Sequence, residues 1–267
     1  MNSVHDFARF RAEGRKISVV TAYDAWSARI IAGSNVDAML VGDSVAMVVH
    51  GQPTTLRATV GLMARHTRAV SRFAGGKFVI ADLPFLSFRK GIPAAMTAVA
   101  ALVRSGAQAV KLEGVDGHED VIRHIVESGI PVMGHIGMTP QSINAFGGFR
   151  VQGRSEGDAA HLLHQAKALA ELGCFAIVLE CIPANLAARI TSEIAIPTIG
   201  IGAGAATSGQ VLVLQDLLGL TPGKVPDFVR TYVDGTSLFT KALNDYDAEV
   251  KDARFPGTTK AGDDGGL

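Results

Sequence analysis

The sequence predicts an α/β protein built on a closed barrel of eight parallel strands surrounded by helices, a (β/α)8 or TIM barrel in a single domain. Short apolar segments that suit strands alternate with longer Ala-rich segments that have helical periodicity. The strand-like segments number eight, which is the number that closes a barrel. No linker or shift of composition divides the chain. Because periodicity does not show closure, an open doubly wound sheet is the alternative.

The elements follow in order along the chain. Strands are expected at Ser18–Tyr23, Ala38–Asp43, Phe78–Asp82, Ala109–Glu113, Val132–His135, Ala176–Glu180, Thr198–Gly202 and Val211–Gln215. Helices are expected at Trp26–Gly33, Val60–Phe73, Pro93–Arg104, Glu119–Ser128, Asp158–Leu172, Pro183–Ile194 and Pro226–Val250. Glycines such as Gly106 and Gly173 end helices and lead directly into strands. Strands that alternate with helices in this way pair in parallel.

Two segments fall outside the alternation. The Gly-rich stretch from Gly137 to Arg154 follows the fifth strand, and its length is typical of a lid or a binding loop. Residues 1–256 are predicted to form the catalytic barrel domain. Residues 257–267, rich in Gly and Asp, are predicted to be a disordered tail.

The composition excludes several classes of protein. The 25 basic and 25 acidic residues balance, so the sequence lacks the basic surplus of a nucleic-acid-binding protein. The N-terminus lacks the apolar core of a signal peptide. The longest apolar run, Ala94–Val103, is shorter than the roughly 20 residues of a membrane helix. Two cysteines fit a reducing compartment. We therefore expect a cytoplasmic protein without a nucleic-acid or membrane partner.

Charged residues stand at the carboxyl ends of the predicted strands. Lys111 and Glu113 are two residues apart, so in a strand they share a face while Leu112 points to the other. Taken alone, such a pair indicates a structural ion pair at a strand end. Because the strand ends of a barrel meet at one rim, the repetition of charges there predicts an active site.

The rim would carry four carboxylates against one ammonium group. The acids are Asp43, Asp82, Glu113 and Glu180. Like charges ~4 Å apart repel by about 4 kcal/mol at an effective dielectric of 20, so the cluster either takes up protons or binds a cation. Ligands that are all oxygen favour Mg²⁺. For any single acid, the N-cap of the following helix is the alternative interpretation.

Other candidate residues lie near the same rim. Alternation along the sixth strand points Glu180 into the barrel, where it could act as a general base. Cys181 then faces the helices as a packed thiol. His135 could hydrogen-bond substrate or serve as a structural donor. His161 and His164 lie at helical spacing and are interpreted as surface or packing residues rather than a metal pair.

The segment Gly200–Gly204 lacks the third glycine of a Rossmann fingerprint. A phosphate cradle after the seventh strand and a tight turn that lets a bulky ligand approach the backbone remain open.

Eight motifs follow one another along the chain. They are T-A-Y-D at Thr21–Asp24, M-L-V-G-D-S at Met39–Ser44, A-D-L-P-F at Ala81–Phe85, V-K-L-E-G at Val110–Gly114, G-H-I-G-M-T-P-Q-S at Gly134–Ser142, F-G-G-F-R-V-Q-G-R at Phe146–Arg154, L-E-C-I-P at Leu179–Pro183 and I-G-I-G-A-G at Ile199–Gly204. In order and on the same elements, over residues 5 to 256, the chain resembles the ketopantoate (3-methyl-2-oxobutanoate) hydroxymethyltransferase family.

The resemblance implies a barrel assembled as a homodecamer. It implies transfer of a hydroxymethyl group from 5,10-methylenetetrahydrofolate to α-ketoisovalerate, through a Mg²⁺-stabilised enolate, to give ketopantoate for pantothenate and coenzyme A biosynthesis. Matched position by position, it implies metal ligands, substrate contacts and a base. The metal ligands are Asp43, Asp82 and Glu113; the substrate contacts are Asp43, Ser44, Asp82 and Lys111; the catalytic base is Glu180.

The chain departs from the family at Arg57–Thr59, where Pro-Val-Thr is usual, and in its tail. A related Mg²⁺-dependent lyase of the isocitrate lyase and phosphoenolpyruvate mutase type is the second enzyme hypothesis. It would need a catalytic cysteine in a loop, and neither cysteine here occupies one. A non-catalytic binding or scaffold barrel is a third hypothesis, but it has no need of four converging acids.

Overall fold

The computed structural model describes residues 3–257 and contains a closed barrel of eight parallel strands. The strands are β1 Ile17–Thr21, β2 Ala38–Val41, β3 Phe78–Asp82, β4 Ala109–Lys111, β5 Val132–Gly137, β6 Ala176–Glu180, β7 Thr198–Ile201 and β8 Gly209–Leu212. Ile17 of β1 pairs in register with Gly209 of β8, which closes the sheet. The predicted (β/α)8 barrel is confirmed. The open doubly wound sheet is wrong, because its first and last strands would not pair in a ring.

Helices connect most of the strands. In the part of the chain that the structure describes, they are α1 Val4–Ala12, α2 Ala25–Ala32, α3 Val45–Val48, α4 Val60–Ser71, α5 Ile92–Arg104, α6 Glu119–Glu127, α7 Ile143–Phe146, α8 Glu156–Glu171, α9 Ala184–Glu193, α10 Leu214–Leu217 and α11 Gly235–Lys251. The predicted helix from Pro226 instead begins at Gly235, because the Asp234 carboxylate caps it by accepting from the Ser237 N–H at 3.1 Å.

Helix α1, which the sequence patterns do not predict, covers the amino-terminal end of the barrel. The Phe7 ring packs edge-to-face on Phe78 at 5.7 Å and on Phe175 at 5.0 Å between centroids. Phe78 begins β3 and Phe175 directly precedes β6, so these contacts lie where strands begin. Phe7 is fully buried in the core cluster. The end of the barrel opposite the predicted rim is therefore filled with aromatic side chains.

Replacing Phe7 by alanine is expected to destabilise the protein by about 3–5 kcal/mol, because the truncation leaves a cavity among buried rings. Urea unfolding followed by circular dichroism measures the change. Phe149→Ala is the matched control, since Phe149 is 58% exposed. A Phe7→Ala variant as stable as the control would show that α1 does not support the barrel.

Charged residues stand at the carboxyl ends of several strands, as the sequence predicts. Asp82 ends β3, Lys111 ends β4 and Glu180 ends β6. Asp43 follows β2, and His135 lies within β5. Since all eight strands are parallel, these residues lie toward one rim.

The chain forms two compact units, a first that ends at Leu214 and a second that begins at Gln215. The barrel strands belong to the first, and α11 belongs to the second. The predicted domain extent of residues 1–256 stays a prediction. The predicted disordered tail, residues 257–267, lies outside the described residues except for Gly257. Within residues 3–257, the structure has no helix with both the length and the apolar character needed to span a bilayer.

Candidate active site

Three charged residues from successive strand ends lie in contact at the rim. The Asp43 backbone N–H donates a 3.0 Å hydrogen bond to Asp82 Oδ2. Lys111 Nζ lies 3.2 Å from Asp82 Oδ1. All three residues are at most 5% exposed. Charges removed from water to this extent are tolerated only when they are paired, so the ammonium of Lys111 offsets the buried carboxylates.

His135 joins this group to the two glutamates. Its Nδ1 lies 3.2 Å from Lys111 Nζ and 3.4 Å from Glu113 Oε1. Its Nε2 lies 3.3 Å from Glu180 Oε2. His135 is 2% exposed, whereas the Glu180 side chain is 17% exposed. The structure therefore brings the predicted site residues of β2 to β6 into one continuous group, with Glu180 at its more open side.

The three buried carboxyl groups have different proton affinities. Burial, together with the charges of Asp82 and Glu113, raises the pKa of Asp43 well above its usual value. Burial also raises the pKa of Asp82, although Lys111 opposes the shift. Burial acts in the same direction on Glu113, but the hydrogen bond and charge of His135 outweigh it and lower the Glu113 pKa. The site thus disfavours the ionised forms of Asp43 and Asp82.

The two basic groups of the site are stabilised in their charged forms. Burial lowers the pKa of Lys111, but Asp82, Glu113 and Asp43 outweigh burial and raise it. Burial and the Lys111 charge likewise lower the pKa of His135. Its hydrogen bonds to Glu113 and Glu180 outweigh both and raise the pKa to about 9. The surrounding carboxylates therefore favour the charged forms of both Lys111 and His135.

The acids at the rim are not helix caps. The N-cap positions of α3, α5, α6 and α9 are held by Ser44, Gly91, His118 and Pro183. Asp24, by contrast, caps α2 by accepting from the Ser27 N–H at 2.8 Å. The N-cap interpretation is thus wrong for Asp43, Asp82, Glu113 and Glu180.

The carboxylates have the chemistry of a site for a hard divalent cation. Among residues 3–257, no three His, Cys, Asp or Glu side chains are already arranged around a metal position. However, the buried atoms Asp82 Oδ1 and Glu113 Oε1 make no well-aligned hydrogen bond among the described residues; they lie against the basic groups Lys111 Nζ at 3.2 Å and His135 Nδ1 at 3.4 Å. A divalent cation among these carboxylates would relieve the repulsion from Asp82 and Glu113 that helps to raise the Asp43 pKa. The residues present fit Mg²⁺, whose preferred ligands are oxygens.

The comparison with known families agrees with this geometry. The family model described as ketopantoate hydroxymethyltransferase matches residues 1–258. The chain belongs to this family. The identification made from the eight motifs is confirmed, as is the prediction of a transferase. A non-catalytic scaffold does not fit membership of a transferase family.

Ketopantoate hydroxymethyltransferases from other organisms are similar over nearly the whole chain. The 3-methyl-2-oxobutanoate hydroxymethyltransferase of Coxiella burnetii (strain RSA 493 / Nine Mile phase I) is 57% identical over 252 residues, covering 94% of this chain and 95% of the relative. That of Francisella tularensis subsp. tularensis (strain WY96-3418) is 54% identical over 256 residues, covering 96% and 97%.

Solved structures share the fold at low sequence identity. Phosphonopyruvate hydrolase in complex with oxalate and Mg²⁺ superposes with a TM-score of 0.62 at 10% identity, covering 98% of this chain and 91% of that one. 2,3-Dimethylmalate lyase, a PEP mutase/isocitrate lyase superfamily member, gives 0.60 at 17% identity, covering 98% and 92%. At this sequence identity, the similarity shows a shared barrel fold and nothing more.

Gln141 contacts the predicted site residues, although the sequence did not single it out individually and only its motif belongs to the family pattern. Its Nε2 donates to Asp43 Oδ2 at 2.9 Å and to the Leu83 carbonyl at 3.0 Å. Its backbone N–H donates to Glu113 Oε2 at 2.9 Å. Gln141 thus holds two of the predicted metal ligands at once. The sequence signals for Gln141 were its place in the motif at Gly134–Ser142 and in the loop predicted to be a lid or a binding loop.

Tyr23 supports Ser44, the remaining predicted substrate contact. The Tyr23 hydroxyl lies 2.7 Å from Ser44 Oγ. Burial raises the pKa of Tyr23, so its hydroxyl stays protonated and can donate this bond. Ser44 Oγ would then keep its own proton for a substrate oxygen.

Cys181 and His161, to which the sequence analysis gave no catalytic or metal-binding role, have none in the structure of the site either. Cys181 is half-buried, and burial, with the Glu180 charge, raises its pKa to about 11, which disfavours a thiolate nucleophile. His161 contacts Asp116 at the surface at 3.1 Å, as expected for a surface residue. A side chain at Gly204 would meet Ala184 at 2.6 Å, so this glycine is required by close packing against α9. The two interpretations of Gly200–Gly204, a phosphate cradle and a turn that a bulky ligand approaches, stay predictions.

Proposed function

We propose that the chain transfers a hydroxymethyl group from 5,10-methylenetetrahydrofolate to α-ketoisovalerate, forming ketopantoate and tetrahydrofolate in pantothenate and coenzyme A biosynthesis. Family membership supports the reaction class. The observation that carries the mechanism is the position of Glu180, at the open side of the cationic and acidic group. The reaction consumes one water, which supplies the new hydroxyl oxygen. One C–C bond forms at C3 of the keto acid, and both bonds from the one-carbon unit to folate nitrogen break.

The keto acid would bind between the basic and acidic parts of the rim. The ammonium of Lys111 and the imidazolium of His135 would offset the substrate carboxylate. Ser44 Oγ, held by Tyr23 at 2.7 Å, would donate a hydrogen bond to a substrate oxygen. Asp43 and Asp82 would contact the substrate at the keto end, next to the metal position. Preorganised donors of this kind cost little reorganisation during reaction.

The ligands for Mg²⁺ would be Asp43, Asp82 and Glu113. When bound there, the cation would supply Lewis-acid polarisation of the substrate keto group. Gln141 would fix the orientation of Asp43 and Glu113 through its two hydrogen bonds of 2.9 Å.

Glu180 would remove the proton from C3 of the keto acid. Its carboxylate is held by His135 Nε2 at 3.3 Å and is more exposed than the other acids. The resulting carbanionic C3 would attack the one-carbon unit of the folate. A base positioned in this way contributes roughly 10²–10⁴-fold to the rate.

Exchange at C3 tests the proposal most directly. α-Ketoisovalerate in D₂O is incubated with the enzyme and Mg²⁺, with and without folate, and the C3 proton signal is followed by NMR. We expect exchange without folate and ketopantoate only with the methylene donor. A lyase of the phosphoenolpyruvate mutase type would exchange no C3 hydron of this substrate, and neither would a scaffold. Absence of both exchange and product would overturn the proposal.

We further propose that the protein is cytoplasmic and assembles as a homodecamer. The free thiols of Cys174 and Cys181 fit a reducing compartment. Assembly is supported by α11, whose large apolar side chains are exposed: Leu238, Phe239, Leu243, Tyr246 and Val250. Apolar helix faces of this size are normally covered by another surface.

Leu243→Glu is expected to reduce the assembled mass, because it places a charge on the most exposed apolar residue of α11, at 67% exposure. Light scattering coupled to gel filtration measures the mass. Lys241→Glu, on the same helix, is the matched control. A monomeric wild-type protein would contradict the assembly, and an unaltered mass for Leu243→Glu would remove α11 from it.

A further inference from the structure

A cleft of about 340 Å³ lies beside the acid cluster and has no role in the mechanism above. Its volume falls within the roughly 300–1,000 Å³ range of small-molecule sites. The α8 helix, the start of the β4–α6 connection and the loop after β5 form its walls. The side chains that matter for recognition are Arg89, Asp116, Phe146, Gln152, His161 and Gln165.

The cleft is joined to the site through the backbone. Gly137 and Gln152 are both part of its lining. Gly137 stands opposite Glu180 in the β5–β6 register, and the following N–H, of Met138, donates to the Glu180 carbonyl at 2.8 Å. The Gln152 N–H donates to the Cys181 carbonyl at 2.9 Å. A molecule in the cleft would therefore lie against the segments that position Glu180.

The charged groups of the cleft are held in place by hydrogen bonds. Asp116 Oδ2 accepts from His161 Nε2 at 3.1 Å and from Gln165 Nε2 at 2.5 Å. Arg89 donates to the Glu113 carbonyl at 2.8 Å, which ties the cleft to the acid cluster. The Arg89 side chain is exposed, and desolvation of its guanidinium lowers its pKa. The cleft therefore offers an oriented carboxylate and an oriented guanidinium in one small volume.

This set of groups complements a pterin. The pterin ring is flat, its 2-amino and N3–H groups are adjacent donors that suit a carboxylate, and its 4-oxo group is an acceptor that suits a guanidinium or an amide. The Phe146 ring supplies an aromatic surface for the bicycle. A phosphate or sugar phosphate would instead require a surplus of positive charge, and Asp116 and Asp158 exclude that surplus.

We propose that this cleft binds the pterin end of the folate one-carbon donor, with Asp116 as the acceptor for its amino and N3–H groups. The inference rests on the proposed function and locates its second substrate. The keto acid and the folate would then approach Glu180 from different sides, one in the barrel mouth and one in the cleft.

The test compares two cleft variants with a control on α8 whose side chain is not part of the cleft lining. Asp116→Asn and Phe146→Ala are expected to raise the KM for methylenetetrahydrofolate by about tenfold or more, since a charged hydrogen bond or an aromatic contact is lost. The KM for α-ketoisovalerate and the folate-independent exchange at C3 should not change. His164→Ala, three residues after His161 on α8, should match wild type in all three measurements. Equal melting temperatures exclude misfolding as the cause.

A direct binding measurement makes the outcome independent of turnover. Calorimetric titration of the Mg²⁺- and α-ketoisovalerate-loaded enzyme with 5-formyltetrahydrofolate should show binding that weakens in both cleft variants and not in His164→Ala. Binding or KM values for folate that remain at the wild-type level in both variants would overturn the cleft assignment. If exchange at C3 persists in that case, the proposed function stands. If wild-type enzyme shows neither exchange nor product, the proposed function fails separately.

Discussion

Glu180→Gln is expected to lower the rate of C3 hydron exchange in α-ketoisovalerate by at least roughly 10²–10⁴-fold, with ketopantoate formation falling in parallel. Glutamine has nearly the same shape as glutamate but cannot take up the proton. Because Glu180 ends β6 and contacts His135 at 3.3 Å, the substitution should leave the barrel and the acid cluster in place. NMR in D₂O measures the exchange, and calorimetry measures keto acid affinity, which should stay within a fewfold of wild type.

The matched control is Glu193→Gln, because Glu193 is a glutamate on the surface of α9 that pairs with Lys167 and Arg189. It should exchange the C3 proton at the wild-type rate. Exchange by Glu180→Gln at the rate of this control would remove Glu180 from the role of base. A loss of keto acid binding together with a loss of exchange would instead assign Glu180 to substrate binding.

Removal of divalent cations is expected to abolish both exchange and transfer, and added Mg²⁺ should restore them. Asp43, Asp82 and Glu113 are buried, and the charges of Asp82 and Glu113 help to raise the pKa of Asp43. Without a cation the keto acid would meet an excess of negative charge. Assays after EDTA treatment and gel filtration, with Mg²⁺ added back, measure the effect.

A readout independent of activity is thermal stability. A cation that binds only the folded state stabilises it by about 2.7 kcal/mol at a concentration 100 times its Kd. Mg²⁺ should therefore raise the Tm of wild type, and this shift should vanish in Asp82→Asn. Asp120→Asn, an exposed acid on α6, should keep it. Full activity in metal-free enzyme, or an equal Tm shift in Asp82→Asn, would contradict the metal site.

The strand pattern was predictable because side-chain direction along a strand is a local property. Lys111 and Glu113, two residues apart, both face the site, where Lys111 meets Asp82 and Glu113 meets His135. Leu112, which lies between them in the sequence, is fully buried. The same alternation predicted that Glu180 would point inward, and its carboxylate contacts His135. The assignment of Mg²⁺ and of the base remains a prediction that the geometry supports.

The missed features all depend on contacts that are distant in sequence. Gln141 bonds Asp43 across 98 residues. Helix α1 was missed because its short charged segment shows little apolar pattern, and only Phe78 and Phe175, far along the chain, explain why Phe7 is buried. The cleft is lined by side chains from several connections, and no single segment of the sequence carries its shape.

The sequence by itself determined the order of strands and helices, the family, and the presence of acids at strand ends. These follow from backbone periodicity and from residue types at neighbouring positions. Only the tertiary structure decided that β1 pairs with β8, that His135 bridges Lys111 to Glu180, and that Gln141 holds two acids. The reason is that closure and register bring together atoms whose separation along the chain carries no local signal.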